Sequence, residues 1–158
     1  MATVLFSPEA LNDLEEIKTN DDIKSFMDLV CYFHDGCIKE MHYLSGAYVG
    51  EGLGMSPLND KRILKVIIQR QFDDPSMVEL KFSGLQYMNL NPVDPTYTCE
   101  ILGSTMFEKD GFIYWCDDDS IDAASIENYD GTLICAEKLR WRPVEGHMGK
   151  DNYFIVNE

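Results

Sequence analysis

The spacing of apolar residues changes near position 36, from helical to strand periodicity. Before that point, apolar residues recur every three or four positions and predict an amphipathic helix. They are Ile23, Phe26, Met27 and Val30. Asn20 is placed to cap this helix, which we expect to run to about Phe33 and to end at Gly36.

A shorter helix is predicted nearer the N-terminus. Ser7 is a suitable N-cap, Pro8 suits the first helical position, and Glu9 complements the helix dipole. Its apolar stripe would consist of Leu11, Leu14 and Ile17. The chain is therefore expected to begin with two helices whose apolar faces need a surface to cover.

Downstream, apolar and polar residues alternate in segments separated by turn signals, as in antiparallel strands. The predicted strands are 37–49, 62–72, 77–90, 98–108, 112–116, 131–142 and a short one at 153–156. Gly84 disturbs the alternation, which predicts a β-bulge, and Lys109-Asp110-Gly111 predicts a hairpin turn. No helical pattern separates strands 37–116, which excludes parallel βαβ units.

These patterns predict one α+β domain over residues 1–158. Two N-terminal helices would pack on a strongly bent, mainly antiparallel sheet of about six or seven strands. The sheet would form a partial barrel, or else a two-sheet sandwich with the helices at one edge.

Charge narrows the expected partners. The chain has 28 acidic and 13 basic residues, a formal net charge of −15. Such a field repels phosphate backbones and anionic membranes, so we expect neither nucleic acid nor membrane contacts. It suits a basic protein partner, and it also suits simple solubility.

Cysteine usage and the N-terminal residues predict a cytoplasmic location. The five cysteines are odd in number and scattered, which argues against a disulfide framework, and they include no C-x-x-C pair for zinc. The first residues lack the basic region of a signal peptide. No phosphate-binding loop, nucleophile elbow or other cofactor motif occurs, so we predict no cofactor and no enzymatic activity.

His34 and Asp35 lie at the predicted corner between helix and strand. In the strand that follows, Glu40 and His42 would share a face. A pocket near these four residues would make the protein a small-molecule or metal-binding module. In the alternative interpretation, Asp35 accepts hydrogen bonds from nearby backbone amides while His34 packs at the helix end.

A dense acidic segment follows the aromatic strand that ends near Trp115. Its carboxylates are Asp117, Asp118, Asp119 and Asp122. Asp122 stands where a calcium-binding EF-hand requires glycine, so that motif is excluded. We predict that this segment contacts a basic partner, with Trp115 as an aromatic anchor. The competing interpretation is a solvated loop.

Lys138, Arg140 and Arg142 form the main basic cluster of the sequence, in the strand predicted last before residue 143. Their side chains are expected to pair with acidic residues on a neighbouring strand, or to contact a partner.

Three segments together resemble small bacterial proteins, among them immunity-type proteins of polymorphic toxin systems. They are Phe33-His34-Asp35-Gly36-Cys37-Ile38, Val78-Glu79-Leu80-Lys81-Phe82-Ser83-Gly84-Leu85 and Ala136-Glu137-Lys138-Leu139-Arg140-Trp141. The resemblance spans roughly residues 26 to 142. It implies a cytoplasmic, non-catalytic protein that neutralises a toxin by covering its active site, often with acidic side chains against a basic nuclease surface. A homodimer that pairs through an exposed sheet face or strand edge is a further interpretation.

Overall fold

The computed structural model describes residues 14–154, which form mainly antiparallel β-structure. The strands are β1 (Glu15–Ile17), β2 (Gly36–Leu44), β3 (Tyr48–Val49), β4 (Met55–Ser56), β5 (Ile63–Arg70), β6 (Met77–Asn89), β7 (Thr105–Lys109), β8 (Phe112–Cys116) and β9 (Leu133–Pro143). Seven of them form one sheet in the order β2-β5-β6-β9-β8-β7, with β1 also paired to β9. β3 and β4 form a separate hairpin. Within these residues no helix is long and apolar enough to cross a bilayer.

The predicted amphipathic helix is present as α1 (Asn20–Leu29), with buried Ile23, Phe26 and Met27. Its N-cap is Thr19 rather than Asn20, because Thr19 and Asp22 form a capping box. The Thr19 hydroxyl accepts a hydrogen bond from the Asp22 amide at 3.0 Å, and the Asp22 carboxylate accepts one from the Thr19 amide at 2.9 Å. The helix ends at Leu29, short of Phe33 and Gly36.

The prediction of two N-terminal helices is not matched, and the fold is mainly β. The predicted helix start at Ser7-Pro8-Glu9 lies outside the described residues. Ile17, the last residue of its predicted stripe, belongs to β1 and pairs with Leu139 of β9. Ile17 is 3% exposed, so pairing with β9 buries it against the sheet.

β6 and β9 are long strands that bend together, as the predicted bulge at Gly84 indicated. Gly84 has φ +64°, and the pairing of β6 with β9 shifts register between Leu85 and Tyr87. Before the bend, β6 pairs with β5; after it, β9 pairs with β8. The bend allows side chains from both parts of the sheet to enter one apolar core.

Three predicted strands are shorter, divided or absent. The strand predicted at 37–49 ends at Leu44, and Tyr48–Val49 pairs with β4 in the separate hairpin. Of 98–108, only Thr105–Lys109 forms a strand; before it, Ile101 makes an isolated bridge to Gly36. The predicted terminal strand is not formed at Tyr153 and Phe154, and its other residues lie outside the described part. Tyr153 instead packs on Ile67 and Met77, on the sheet face opposite α1.

We expect the bend at Gly84 to require glycine. In Gly84→Ala, a β-carbon would lie 2.7 Å from the Glu137 carboxyl carbon and would strain a left-handed backbone, so the free energy of unfolding should fall by about 2 kcal/mol or more. Gly111→Ala is the matched control, because Gly111 has φ +85° but open space around it; it should cost only about 1 kcal/mol. Urea denaturation of both variants measures the difference. Equal losses of unfolding free energy in the two variants would contradict a steric requirement for glycine at the bend.

Candidate functional site

About half of the net negative charge lies in one part of the fold, which we call the acidic lobe: the β7–β8 hairpin and the loop 117–132. Its charged residues are eight acids and one lysine: Glu108, Asp110, Asp117, Asp118, Asp119, Asp122, Glu127, Asp130 and Lys109. The loop folds back over the hairpin. Its far end reaches Lys109, whose ammonium donates to the Ala123 carbonyl at 3.1 Å and lies 3.7 Å from Glu127.

An apolar cluster inside the lobe holds the loop against the hairpin. Ile126 is buried between Cys116 and Leu133, and Ile121 and Tyr129 pack on the same cluster. Across the hairpin, the rings of Phe107 and Tyr114 stack with centroids 5.1 Å apart. The acidic loop therefore has its own small core and is not merely a solvated connection.

Two of the predicted contact aspartates build turns in this loop. Asp118 accepts hydrogen bonds from the Ser120 hydroxyl at 2.6 Å and the Ser120 amide at 2.8 Å, and these bonds lower the pKa of Asp118. Asp122 accepts from the Ser125 hydroxyl and from the amides of Ser125 and Ala124, all at 3.0 Å. These bonds lower the pKa of Asp122, led by the hydroxyl bond. Both carboxylates are thereby fixed in position and kept ionised.

Asp117 is fixed in a different way, because the Tyr129 hydroxyl donates a hydrogen bond to its carboxylate. The pKa of Tyr129 is raised, mainly by burial and to a smaller extent by this hydrogen bond and by the charge of Asp117. The Asp117 amide donates to the Thr132 carbonyl at 3.2 Å, which ties the start of the loop to its end. Asp119 is exposed and lies against Gly103.

Trp115 cannot serve as a surface anchor, because its side chain is completely buried. Alternation along β8 turns Ile113 and Trp115 into the main core and leaves Tyr114 on the opposite face. The Trp115 ring contacts Phe33 edge-on, with centroids 6.2 Å apart. The predicted role of Trp115 is therefore wrong, and its position fixes the acidic residues that follow it.

The corner before β2 is strained. Cys31, Tyr32 and Phe33 form a single helical turn with φ values of +52° to +56°, and Asp35 has φ +58°. Left-handed backbone costs an ordinary residue about 1–2 kcal/mol. Burial of Phe33 between Phe26 and Trp115 offsets this cost, together with a 2.9 Å hydrogen bond from the Ser104 hydroxyl to the Tyr32 carbonyl.

The His34 and Asp35 side chains meet at this corner, and Glu100 lines the same cavity as Asp35. His34 Nδ1 lies 2.6 Å from the Leu102 carbonyl, and Nε2 lies 3.4 Å from the Asp35 carboxylate. The pKa of Glu100 is raised, mainly by a hydrogen bond to Asp35 and to a smaller extent by desolvation and by the negative charge of Asp35. His34 and Asp119 line one open groove of about 460 Å³, so the corner adjoins the acidic lobe.

Glu40 and His42 share a face, as predicted, but they do not join His34 and Asp35. A bulge at Lys39 turns Glu40 and His42 toward the chain segment that covers the outer face of the sheet. The Glu40 carboxylate accepts from the Tyr153 amide at 2.6 Å, and His42 packs edge-on against Phe154.

The four residues predicted to form a ligand pocket are thus divided among different surroundings. His34, Asp35 and Glu40 line three separate cavities, of about 460, 410 and 620 Å³. Within residues 14–154, no group of three or more His, Cys, Asp or Glu side chains is arranged to hold a metal ion. Binding of a small molecule near Asp35 stays a prediction.

Sequence reasoning missed Glu100 and Tyr129. Nothing in the spacing of the chain indicates that Glu100 meets Asp35, since tertiary contacts such as the Gly36–Ile101 bridge bring the two segments together. Tyr129 had a signal: it follows Ile121 and Ile126 at intervals within the acidic segment, and apolar residues there indicate a packed loop.

A scan against protein-family models found no match, and searches of curated proteins and of solved structures found no similar protein.

We expect the turn at Asp122 to stabilise the lobe in a pH-dependent manner. Asp122→Ala removes three hydrogen bonds and should lower the Tm by a few degrees at pH 7. Because the folded state lowers the pKa of Asp122, this stabilisation is present above its ordinary pKa of 3.8 and is lost as the pH falls through the folded value. Calorimetry from pH 7 to pH 3 should show the two Tm values converge. A difference that persists unchanged at pH 3 would contradict the role of the ionised carboxylate.

Proposed function

We propose that this protein acts without catalysis, by binding a basic protein partner through the acidic lobe. The observation that carries the proposal is that the lobe holds its carboxylates in fixed positions on a small core of its own. A surface that is ordered before binding loses less conformational entropy when a partner docks.

The geometry divides the acidic residues of the lobe into two groups. Asp117, Asp118 and Asp122 are engaged in hydrogen bonds that build the loop. Asp119 and Asp130 are exposed and make no carboxylate hydrogen bond within the described residues, and the Glu127 side chain is 81% exposed. We assign the first group to shaping the surface and the second group to meeting cations of the partner.

Electrostatic attraction would act mainly on the rate of association. A concentrated field of one sign steers an oppositely charged partner and raises its rate of association at low ionic strength. The groove between His34 and Asp119 extends the lobe toward the strained corner, where Tyr32 is 44% exposed and Leu102 is 73% exposed. These two side chains offer apolar contact beside the charged surface.

The resemblance to immunity-type proteins agrees with this proposal. In that reading the chain is a cytoplasmic bacterial protein, and its partner is a basic toxin whose active site the acidic lobe covers. The proposal requires only that the partner be basic, whatever its identity.

Charge neutralisation in the lobe tests the proposal. The lobe variant combines Asp119→Asn, Glu127→Gln and Asp130→Asn, which spares the three aspartates whose hydrogen bonds build the loop. The control variant combines Glu15→Gln, Glu51→Gln and Glu145→Gln, three exposed acids outside the lobe, and has the same net charge. Each immobilised protein is exposed to a lysate at low salt, and the association rate of any retained basic protein is measured at increasing ionic strength.

We expect the wild type and the control to retain a basic protein, and the lobe variant to associate roughly tenfold more slowly with a flatter salt dependence. Equal losses in the two variants would show that only net charge matters, and would contradict the proposal. Failure of the wild type to retain any basic protein would also contradict it.

A further inference from the structure

Two of the five cysteines, Cys37 and Cys99, are distant in the sequence and close in the fold. Cys37 is the second residue of β2, and Cys99 lies in the connection between β6 and β7. Both are free thiols; Cys37 is partly buried, and Cys99 is exposed. We call these two residues the thiol pair.

Backbone contacts bring the two segments together. Gly36 and Ile101 form an antiparallel bridge, in which the Ile101 amide donates to the Gly36 carbonyl at 2.7 Å. The Asp35 amide donates to the Ile101 carbonyl at 3.0 Å. Because the segments are antiparallel, residues that follow Gly36 run beside residues that precede Ile101, so Cys37 and Cys99 lie on the same side of the bridge. Bridged residues have Cα atoms about 5 Å apart, and a disulfide requires Cα atoms within about 7 Å.

The thiol pair also shares one cavity. Cys37 and Cys99 both line the cavity of about 410 Å³ beside Asp35. Burial raises the pKa of the Cys37 thiol, and the charge of Cys99 raises it further. Residues 98–100 belong to no helix or strand, so Cys99 can adjust its position without breaking a strand. The shared cavity and the antiparallel bridge therefore place the two thiols where they can react with each other.

We propose that the thiol pair is a redox modification site, at which a peroxide oxidises Cys37 and Cys99 to an intramolecular disulfide. The Cys99 thiolate attacks one oxygen of hydrogen peroxide and breaks the O–O bond, which gives a sulfenic acid on Cys99. The departing hydroxide takes the proton that the Cys99 thiol has lost and becomes water.

In the second step, the Cys37 thiolate attacks the Cys99 sulfur and forms the S–S bond. The hydroxide that leaves the Cys99 sulfur takes the proton from Cys37 and becomes a second water. The two thiols thus lose two electrons and two protons together, and the peroxide is reduced to two water molecules.

The difference in exposure sets the order of the two steps. Cys99 is open to solvent and meets the peroxide first, whereas burial disfavours the Cys37 thiolate. A sulfenic acid carries no charge under these conditions, so oxidation of Cys99 removes the charge that opposes ionisation of Cys37. The first step therefore favours the second.

The disulfide would tie the connection before β7 to the start of β2. Cys99 also lines the cavity of about 620 Å³ beside Glu40, so the bond would fix a wall that the two cavities share. A reversible pair of this kind is compatible with scattered cysteines, which argue only against a structural disulfide framework. The thiol pair does not depend on the proposed protein partner.

Peptide mapping of the native protein after treatment with hydrogen peroxide tests the site. In the variant Cys31→Ser, trypsin gives peptide 25–39, with Cys37 as its only cysteine, and peptide 82–109, with Cys99 as its only cysteine. Remaining thiols are alkylated before digestion. We expect peptides 25–39 and 82–109 to be joined, with the loss of two hydrogen atoms, and to separate on reduction with dithiothreitol.

The matched control is the same variant, oxidised after unfolding in urea. We expect its Cys99 to lose the preference for Cys37 and to form bonds with Cys116 and Cys135 as well, because the fold no longer selects the partner. In the native protein Cys116 and Cys135 are buried and should stay reduced.

The order of the steps is tested with dimedone, which traps sulfenic acids. Cys37→Ser should accumulate at least tenfold more trapped sulfenic acid on Cys99 than the protein that keeps Cys37, because the second thiol is absent. If Cys37→Ser does not fold, the mapping of Cys31→Ser still decides the proposal. The proposal is overturned if the two peptides stay unlinked, if Cys99 links to a cysteine other than Cys37, or if the preference for Cys37 is the same in the unfolded protein.

Discussion

The fold depends on a chain of aromatic contacts that joins the two parts of the bent sheet. The ring centroids of Trp141 in β9 and Phe26 in α1 are 4.9 Å apart. Phe26 contacts Phe33, and Phe33 in turn contacts Trp115 of β8. This chain closes the core across the bend at Gly84. It also supplies the packing that holds the left-handed turn before His34 in place.

The position of each charged surface follows from this packing. Burial of Trp115 fixes the register of β8, so Asp117 begins the acidic loop at a defined point, and the apolar cluster of the lobe fixes the rest. On the outer face of the sheet, the pairing of β5, β6 and β9 places Lys65, Lys81 and Arg140 side by side.

The sequence predicted the strands well where alternation was strong, as in β5, β6 and β8, and it predicted the bulge at Gly84 from the break in that alternation. It misplaced Ile17, because three residues that pair with a distant strand carry no local signal. It also misassigned Trp115. Alternation showed that Trp115 lies on one face of β8, but it did not show whether that face is buried. The sequence also could not predict that Lys81 lies opposite Arg140, because the register between distant strands is a tertiary property.

Amide hydrogen exchange of the wild-type protein tests the central claim, that the acidic lobe is an ordered surface. The amides of Asp117, Ser120, Ala124 and Ser125 donate hydrogen bonds within the lobe, whereas residues 58–60 lie in an exposed connection. We predict that the four lobe amides exchange at least tenfold more slowly than those of residues 58–60. Equal exchange rates in the two segments would show that the loop is not held in place, and would contradict the account.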